Sequence, residues 1–237
     1  METLGPNTNA PPNLLSPRCI LVAGEDRRNL LYLLPSQENA SHAFRGYEFW
    51  KQPEFTLILC GIGTGCLEPL IWELTRPGIV RELVLIGTAG KMPNASVEVG
   101  QPYAVIQAFL AGTGLDGEPL DETLTPCWPL PPTIPAASSV STDFFYGFGP
   151  RLLTGEYPFA DGALRERYLD HCRRGTSLVE MEVAQFYAFC RAFGGEGLRY
   201  LAIKGVSNEL GDDARQIAES RTVITRCMEM ARGLMGI

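Results

Sequence analysis

Histidine is nearly absent from this chain: His42 and His171 are the two among 237 residues. So small a supply leaves little material for a histidine-built metal cluster or a Ser-His-Asp triad. The cysteines do not fill the gap. All seven are scattered, at Cys19, Cys60, Cys66, Cys127, Cys172, Cys190 and Cys227, and none forms a Cys-x-x-Cys pair. Several stand in apolar runs, Cys60 in "LILCG" and Cys190 in "FYAFCRAF". That pattern reads as buried free thiols in a reducing, cytoplasmic setting, with no metal site expected. A basic excess is lacking too. The net charge of −7 gives no electrostatic footprint for nucleic acid. No apolar run has the length of a membrane span, so no membrane partner is expected. The opening "METLGPNTNAPPNLLSPR" has no charged stretch followed by an apolar core and does not read as a secretory signal. Its Pro and Asn content reads as a flexible leader over residues 1–17. With neither repeat nor internal linker, residues 18–237 read as one domain.

What is present is an ordinary globular composition, 45% hydrophobic and 20% charged, in a length that gives one domain a proper core. Short apolar runs alternate with helical patterns. Strands are expected at "CILVAG" (19–24), "FTLILCG" (55–61), "ELVLIGTAG" (82–90), "YAVIQAFL" (103–110), "AASSVST" (136–142) and "LRYLAIKGVSN" (198–208). Helices are expected at "RRNLLYLL", "GCLEPLIWELTR" (65–76), "GALRERYLDHCRR" (162–174), "EMEVAQFYAFCRAFG" (180–194) and the long closing segment from Asp213. The proline-rich "DETLTPCWPLPPTIPA" must be loop. Strands that are nearly continuous in apolar residues, alternating with helices, imply a sheet covered on both faces, hence α/β. Asp213 with Gln216 three residues on fits a capping box for the last helix.

Four segments carry candidate chemistry. "CGIGTGC" places Gly61, Gly63 and Gly65 at a strand-to-helix turn. A dinucleotide fingerprint would need glycine where Cys66 stands and an acidic residue ending the next strand, and both are missing. "GTAGK" (87–91) offers a hydroxyl and backbone N–H groups at a strand end, as a plain turn or as a nest for anions or hydroxyls. In "SLVEMEVAQFY", Glu180-Met181-Glu182 opens a helix. Carboxylates there suit the helix dipole, and a carboxylate also accepts hydrogen bonds from the adjacent hydroxyls of a sugar diol. Near the end, "AIKGVSNELGDD" closes a strand on Ser207-Asn208, where a side chain faces the ligand crevice of an open α/β sheet. An amide there can donate and accept but cannot ionise.

Taken together, these segments resemble the nucleoside phosphorylase and nucleosidase superfamily over nearly the whole chain after the leader. "LILCGIGTGCLEPLIWELTRPGIVRELVLIGTAGKM" is similar to its glycine turn, helix and strand ending in Gly-Ser/Thr-x-Gly. "SVSTDFFYGF" resembles the purine phosphorylase segment Ser-x-Asp-x-Phe-Tyr, and "VEMEVAQFYAFCRAFG" its Val-Glu-Met-Glu helix. "AIKGVSNELGDD" sits where the family has a Ser-Asp or Ser-Asn strand end.

The resemblance implies a three-layer α/β/α sandwich with a mostly parallel, twisted central sheet. It implies cleavage of the N-glycosidic bond of a nucleoside, by phosphate in phosphorylases and by water in nucleosidases. It places Phe145 against the base. Met181 and Glu182 fall at the ribose, with Glu180 beside them and Glu182 on the 2′- and 3′-hydroxyls. Thr88 and Gly90 fall near the nucleophile or the anomeric carbon. Ser207 would orient Asn208, which would face N7 and the 6-substituent of a purine. No cofactor is implied, phosphate being a co-substrate if the chain is a phosphorylase. The partners implied are a small nucleoside and further copies of the chain, since a neighbour often completes the site.

Two departures matter. The phosphorylases that "STDFFY" resembles carry an arginine, three residues before the Ser/Thr of the glycine turn, that clamps phosphate. Here that position is Leu85, a loss that favours water. Arg27, Arg28, Lys91 or a neighbour's Arg45 could restore the site. Nucleosidases of the family carry a glutamate after the first strand to activate water. The corresponding turn offers Glu25 and Asp26, although alignment on the following Leu-Leu puts Arg27 there. The second departure is Asn208 in place of aspartate. Its N–H₂ can donate to N7 or a 6-oxo group, favouring hypoxanthine or guanine over adenine. "SNELGDD" is similar to the futalosine hydrolases of menaquinone biosynthesis, so a futalosine- or inosine-like nucleoside is the expected substrate. Alternatives are a phosphate-dependent purine nucleoside phosphorylase and a non-catalytic nucleoside-binding or storage protein on the same fold.

Overall fold

The computed structural model describes residues 2–30, 41–112, 123–144, 146–157 and 162–237. Its sheet has nine strands: β1 (Arg18–Ala23), β2 (Ser41–Phe44), β3 (Tyr47–Lys51), β4 (Thr56–Cys60), β5 (Glu82–Lys91), β6 (Pro102–Leu110), β7 (Ala136–Ser141), β8 (Leu178–Glu180) and β9 (Arg199–Glu209). The helices are α1 (Thr64–Thr75), α2 (Arg151–Thr154), α3 (Gly162–Arg174), α4 (Val183–Phe193) and α5 (Asp213–Met235).

The apolar strands are continuous because each has two faces to bury. Along β1, Cys19, Leu21 and Ala23 join the core under α1 and α4. Ile20 and Val22, between them, join the core under α5. Period-two alternation across a doubly covered sheet produces that division. Helix α5 approaches β9 closely through Gly205: a methyl group there would stand 1.9 Å from Val223 Cγ1.

The sheet is mixed, which corrects the expectation of a mostly parallel one. β4, β1, β5 and β9 run parallel to their neighbours in that series. The pairs β2–β3, β3–β4, β5–β8 and β6–β9 are antiparallel. The long strand β5 pairs with both β8 and β9, so β5, β8, β7, β6 and β9 close on themselves. Part of the sheet is thus a ring rather than an open layer. The hairpin β2–β3, absent from the sequence reading, adds an antiparallel edge.

Residues 2–17 do not extend from the body as the expected leader would. Leu4, Ala10, Leu14 and Leu15 are buried. Glu73, buried on α1, accepts from the backbone N–H and side chain of Asn7 and from the N–H and hydroxyl of Thr8, at 2.7–2.9 Å. A carboxylate with its lone pairs filled this way holds the segment by charge-assisted bonds. The cap of α5 is Asp212, one residue before the expected position, which accepts from the Arg215 N–H. No helix among the described residues is long and apolar enough to cross a membrane.

Candidate active site

One cavity gathers the C-terminal ends of β1, β5 and β9, the β8–α4 junction, Thr142, Tyr146 and residues 148–151. Its volume is about 890 Å³ including the open mouth, within the range of small-molecule sites. Glu25, Thr88, Gly90, Glu180, Met181, Glu182, Ser207 and Asn208, scattered through the sequence, all line it. Phe145 lies outside the described residues.

The floor is β5. "GTAGK" is neither turn nor free nest, because β5 continues through it to Lys91. The parallel register with β9 slips once, Ala89 facing Val206 and Gly90 facing Asn208, so Ser207 is the extra residue of a bulge. Bulges re-aim side chains beside sites. Here the Ser207 hydroxyl donates to Asn208 Oδ1 at 2.9 Å, and Asn208 Nδ2 donates to the Glu209 carbonyl at 3.0 Å. An amide nitrogen carries two hydrogens, so one remains to donate.

Glu25 follows β1, and its Oε1 accepts the Thr88 N–H at 2.8 Å. Burial raises its pKa above the ordinary carboxylate value, against the opposing hydrogen bonds from Thr88. The neighbouring Asp26 is exposed, caps a short 3-10 turn and pairs with Arg28 at 2.5 Å. Glu25, not Asp26, is therefore the carboxylate that the turn turns inward. Of the basic residues considered as substitutes for a phosphate clamp, Arg27, Arg28 and Lys91 pair outside the cavity. Arg27 pairs with Glu48 at 3.4 Å and Lys91 with Glu209 at 3.1 Å, and neither lines the cavity.

The Glu-Met-Glu segment does not open a helix. Glu180 ends β8, and α4 begins at Val183. The Glu180 carboxylate accepts from the N–H groups of Glu182 and Val183 at 2.7 and 2.8 Å, and from the hydroxyls of Ser139 and Ser141. It caps α4 and joins it to β7, so its lone pairs are largely spent on the framework. Glu182 is different: its Oε2 accepts from Lys204 Nζ at 2.8 Å.

Lys204 is the residue that sequence reading passed over. It sits in mid-β9, 1% exposed, with Glu182 at 2.8 Å and Glu180 at 3.7 Å. Burial pulls its pKa down, but Glu182, then Glu180 and Glu25, outweigh that and hold it above the ordinary lysine value. It is a cation kept charged under three carboxylates. Gly87 makes room for it, since a methyl group there would lie 2.8 Å from Nζ. The available signal was a lysine inside a strand read as buried on both faces, which demands an acidic partner.

Known proteins share this fold. A sequence model of the phosphorylase superfamily matches residues 18–235. No curated protein matches significantly. Among solved structures, a 5′-methylthioadenosine/S-adenosylhomocysteine nucleosidase from Colwellia psychrerythraea with adenine bound is 15% identical, with a TM-score of 0.67 over 94% of this chain and 96% of that one. The purine nucleoside phosphorylase of Toxoplasma gondii with immucillin-H is 17% identical, TM-score 0.67, over 98% of both chains. A uridine phosphorylase from Vibrio fischeri is 17% identical, TM-score 0.69, over 97% of this chain and 93% of that one. At these identities the structures show the fold, and the sequence model shows the family. The chain belongs to the phosphorylase superfamily, the nucleoside phosphorylase and nucleosidase enzymes that its motifs resemble.

Proposed function

We propose that this enzyme hydrolyses the N-glycosidic bond of a 6-oxopurine nucleoside of inosine or futalosine type. The observation that carries water over phosphate is the Thr88 N–H. The strand-end amide that could receive an anion already holds the carboxylate of Glu25, 2.8 Å away. A phosphate brought there would meet the carboxylates of Glu25 and Glu182 beside Lys204, and Leu85 stands where the phosphorylases that the chain resembles have arginine.

In this reading a water on Glu25 attacks the anomeric carbon. Its oxygen forms the new bond, the C–N bond breaks, and the bonding pair leaves on the base. Glu25 takes the water's proton, a role suited to a carboxylate with a raised pKa. The ribosyl group passes through a cation-like state, stabilised by the Glu182 carboxylate beside the diol. Lys204 holds one Glu182 oxygen and leaves the other for the sugar. Asn208 cannot protonate the base, so it assists departure by donating a hydrogen bond.

The test is incubation with inosine, futalosine, adenosine and methylthioadenosine, with and without phosphate, while free base and sugar are followed. Free ribose independent of phosphate is expected. Ribose 1-phosphate appearing only with phosphate would overturn the hydrolytic reading, and adenosine preferred to inosine would remove the role given to Asn208. Binding without turnover, unchanged by Glu182→Ala, would point to a nucleoside carrier.

A further inference from the structure

A neutral nucleoside leaves its base as an anion unless a proton arrives while the C–N bond breaks. A positioned acid for that proton contributes about 10²- to 10⁴-fold. The cavity offers none beside Asn208. Among the described residues, those lining it that titrate or carry charge are Glu25, Glu180, Glu182, Tyr146 and Arg151. The carboxylates are engaged at the other end. Glu25 sits on the Thr88 N–H, Glu182 on Lys204, and Glu180 on the start of α4 and the serines of β7. A guanidinium does not give up its proton. Tyr146 is 58% exposed, under the Arg151 guanidinium at 5.4 Å, and so stands at the cavity mouth.

Around Asn208 the wall is aliphatic. Its partner in register is Gly90, and Leu210 Cδ2 and Val179 Cγ1 lie 2.8 and 3.3 Å from where a Gly90 methyl would be. The amide itself is fixed by the Ser207 hydroxyl and the Glu209 carbonyl. Its remaining N–H can steady a base but cannot transfer a proton to it.

We propose that the preferred substrate is a 6-oxopurine nucleoside whose imidazole ring already carries a positive charge, an N7-alkylated purine nucleoside. The proposal rests on the nucleoside-hydrolase reading above and narrows its substrate. With N7 alkylated, the Asn208 N–H goes to the 6-oxo group, and Leu210 and Val179 give the alkyl group apolar contact. The water oxygen bonds to the anomeric carbon, and the C–N electron pair neutralises the ring charge. The base departs neutral and needs no proton, while the proton of the water passes to Glu25 and then to solvent. The ring charge adjoins the glycosidic bond, on the side of the carboxylates, which favour it.

The test compares kcat/KM for 7-methylguanosine, guanosine and nicotinamide riboside, with spontaneous base release subtracted, in the wild type, Asn208→Asp and Tyr146→Phe. 7-Methylguanosine is expected to exceed guanosine by about 10²-fold or more in the wild type. Asn208→Asp supplies an acid: one oxygen keeps the Ser207 bond, and the other, facing the Glu209 carbonyl where Nδ2 now lies 3.0 Å away, is favoured protonated. That variant should raise guanosine turnover and narrow the ratio by about 10²-fold. Guanosine equal to or ahead of 7-methylguanosine in the wild type, or a ratio unchanged by Asn208→Asp, would overturn the proposal. A selective loss of guanosine turnover in Tyr146→Phe would identify the phenol as the acid and overturn it as well. Nicotinamide riboside, cationic but not a purine, ahead of 7-methylguanosine would overturn the purine part. Failure of every nucleoside to bind or react, measured by calorimetry and base release, would overturn the nucleoside reading itself, and this proposal with it.

Discussion

Lys204 settles the charge balance under the candidate ribose site. Removing it leaves Glu182 buried without its counter-charge, and breaking a buried pair costs about 3–5 kcal/mol. Lys204→Met is therefore expected to lower unfolding stability by that amount in urea titration, with loss of turnover. Lys204→Met combined with Glu182→Leu should recover much of the stability and none of the activity. Glu25 gives the opposite separation. Glu25→Gln keeps an oxygen for the Thr88 N–H, so the melting temperature should hardly move, while kcat falls about 10²- to 10⁴-fold through loss of the base. Because burial raises the Glu25 pKa, the acid limb of kcat/KM should lie above the ordinary glutamate value and disappear in that variant. Most of these residues were legible in the sequence because they stand in short, ordered motifs. Lys204 was not, since one lysine among apolar neighbours carries no motif. Glu180 looked like a ligand for a sugar because its serine and backbone partners lie 39 to 41 residues away or in the next turn of chain.

At the scale of elements, β1, β4, β5, β6, β7 and β9 match apolar runs nearly residue for residue, and β1, β4, β5 and β9 do so because they are buried along almost their whole length. The hairpin was missed because β2 is an edge strand with mostly exposed side chains, and nothing in "SHAF" records a core face. β8 escaped because three residues are too few to show a period. The same geometry fixes what the α5–β9 contact tolerates. Gly205→Ala would drive a methyl group into Val223, and overpacking of this kind costs about 1–3 kcal/mol. Val223→Ala in the same chain should restore part of the loss, read as a rise in melting temperature over the single variant. Equal melting temperatures for Gly205→Ala and wild type would show that α5 shifts freely.

For the whole molecule, pH enters through His171. It is buried on α3 against Phe109 and Phe148, with Nδ1 3.0 Å from the Thr176 hydroxyl, and burial lowers its pKa from 6.5 to about 4. The unfolded chain binds a proton below pH 6.5 that the folded chain refuses until about pH 4. Stability is thus full above 6.5 and falls as pH drops through that window, by up to about 3 kcal/mol. His171→Asn should flatten melting temperature against pH over this interval, whatever its effect on stability at neutrality. The docked first residues carry a separate, practical consequence. A recombinant chain trimmed to start at Arg18 would match the family's sequence span, yet it would strip the donors of Asn7 and Thr8 from Glu73 and uncover the apolar surface beneath Leu4, Leu14 and Leu15. Such a trimmed protein is expected to express poorly and precipitate.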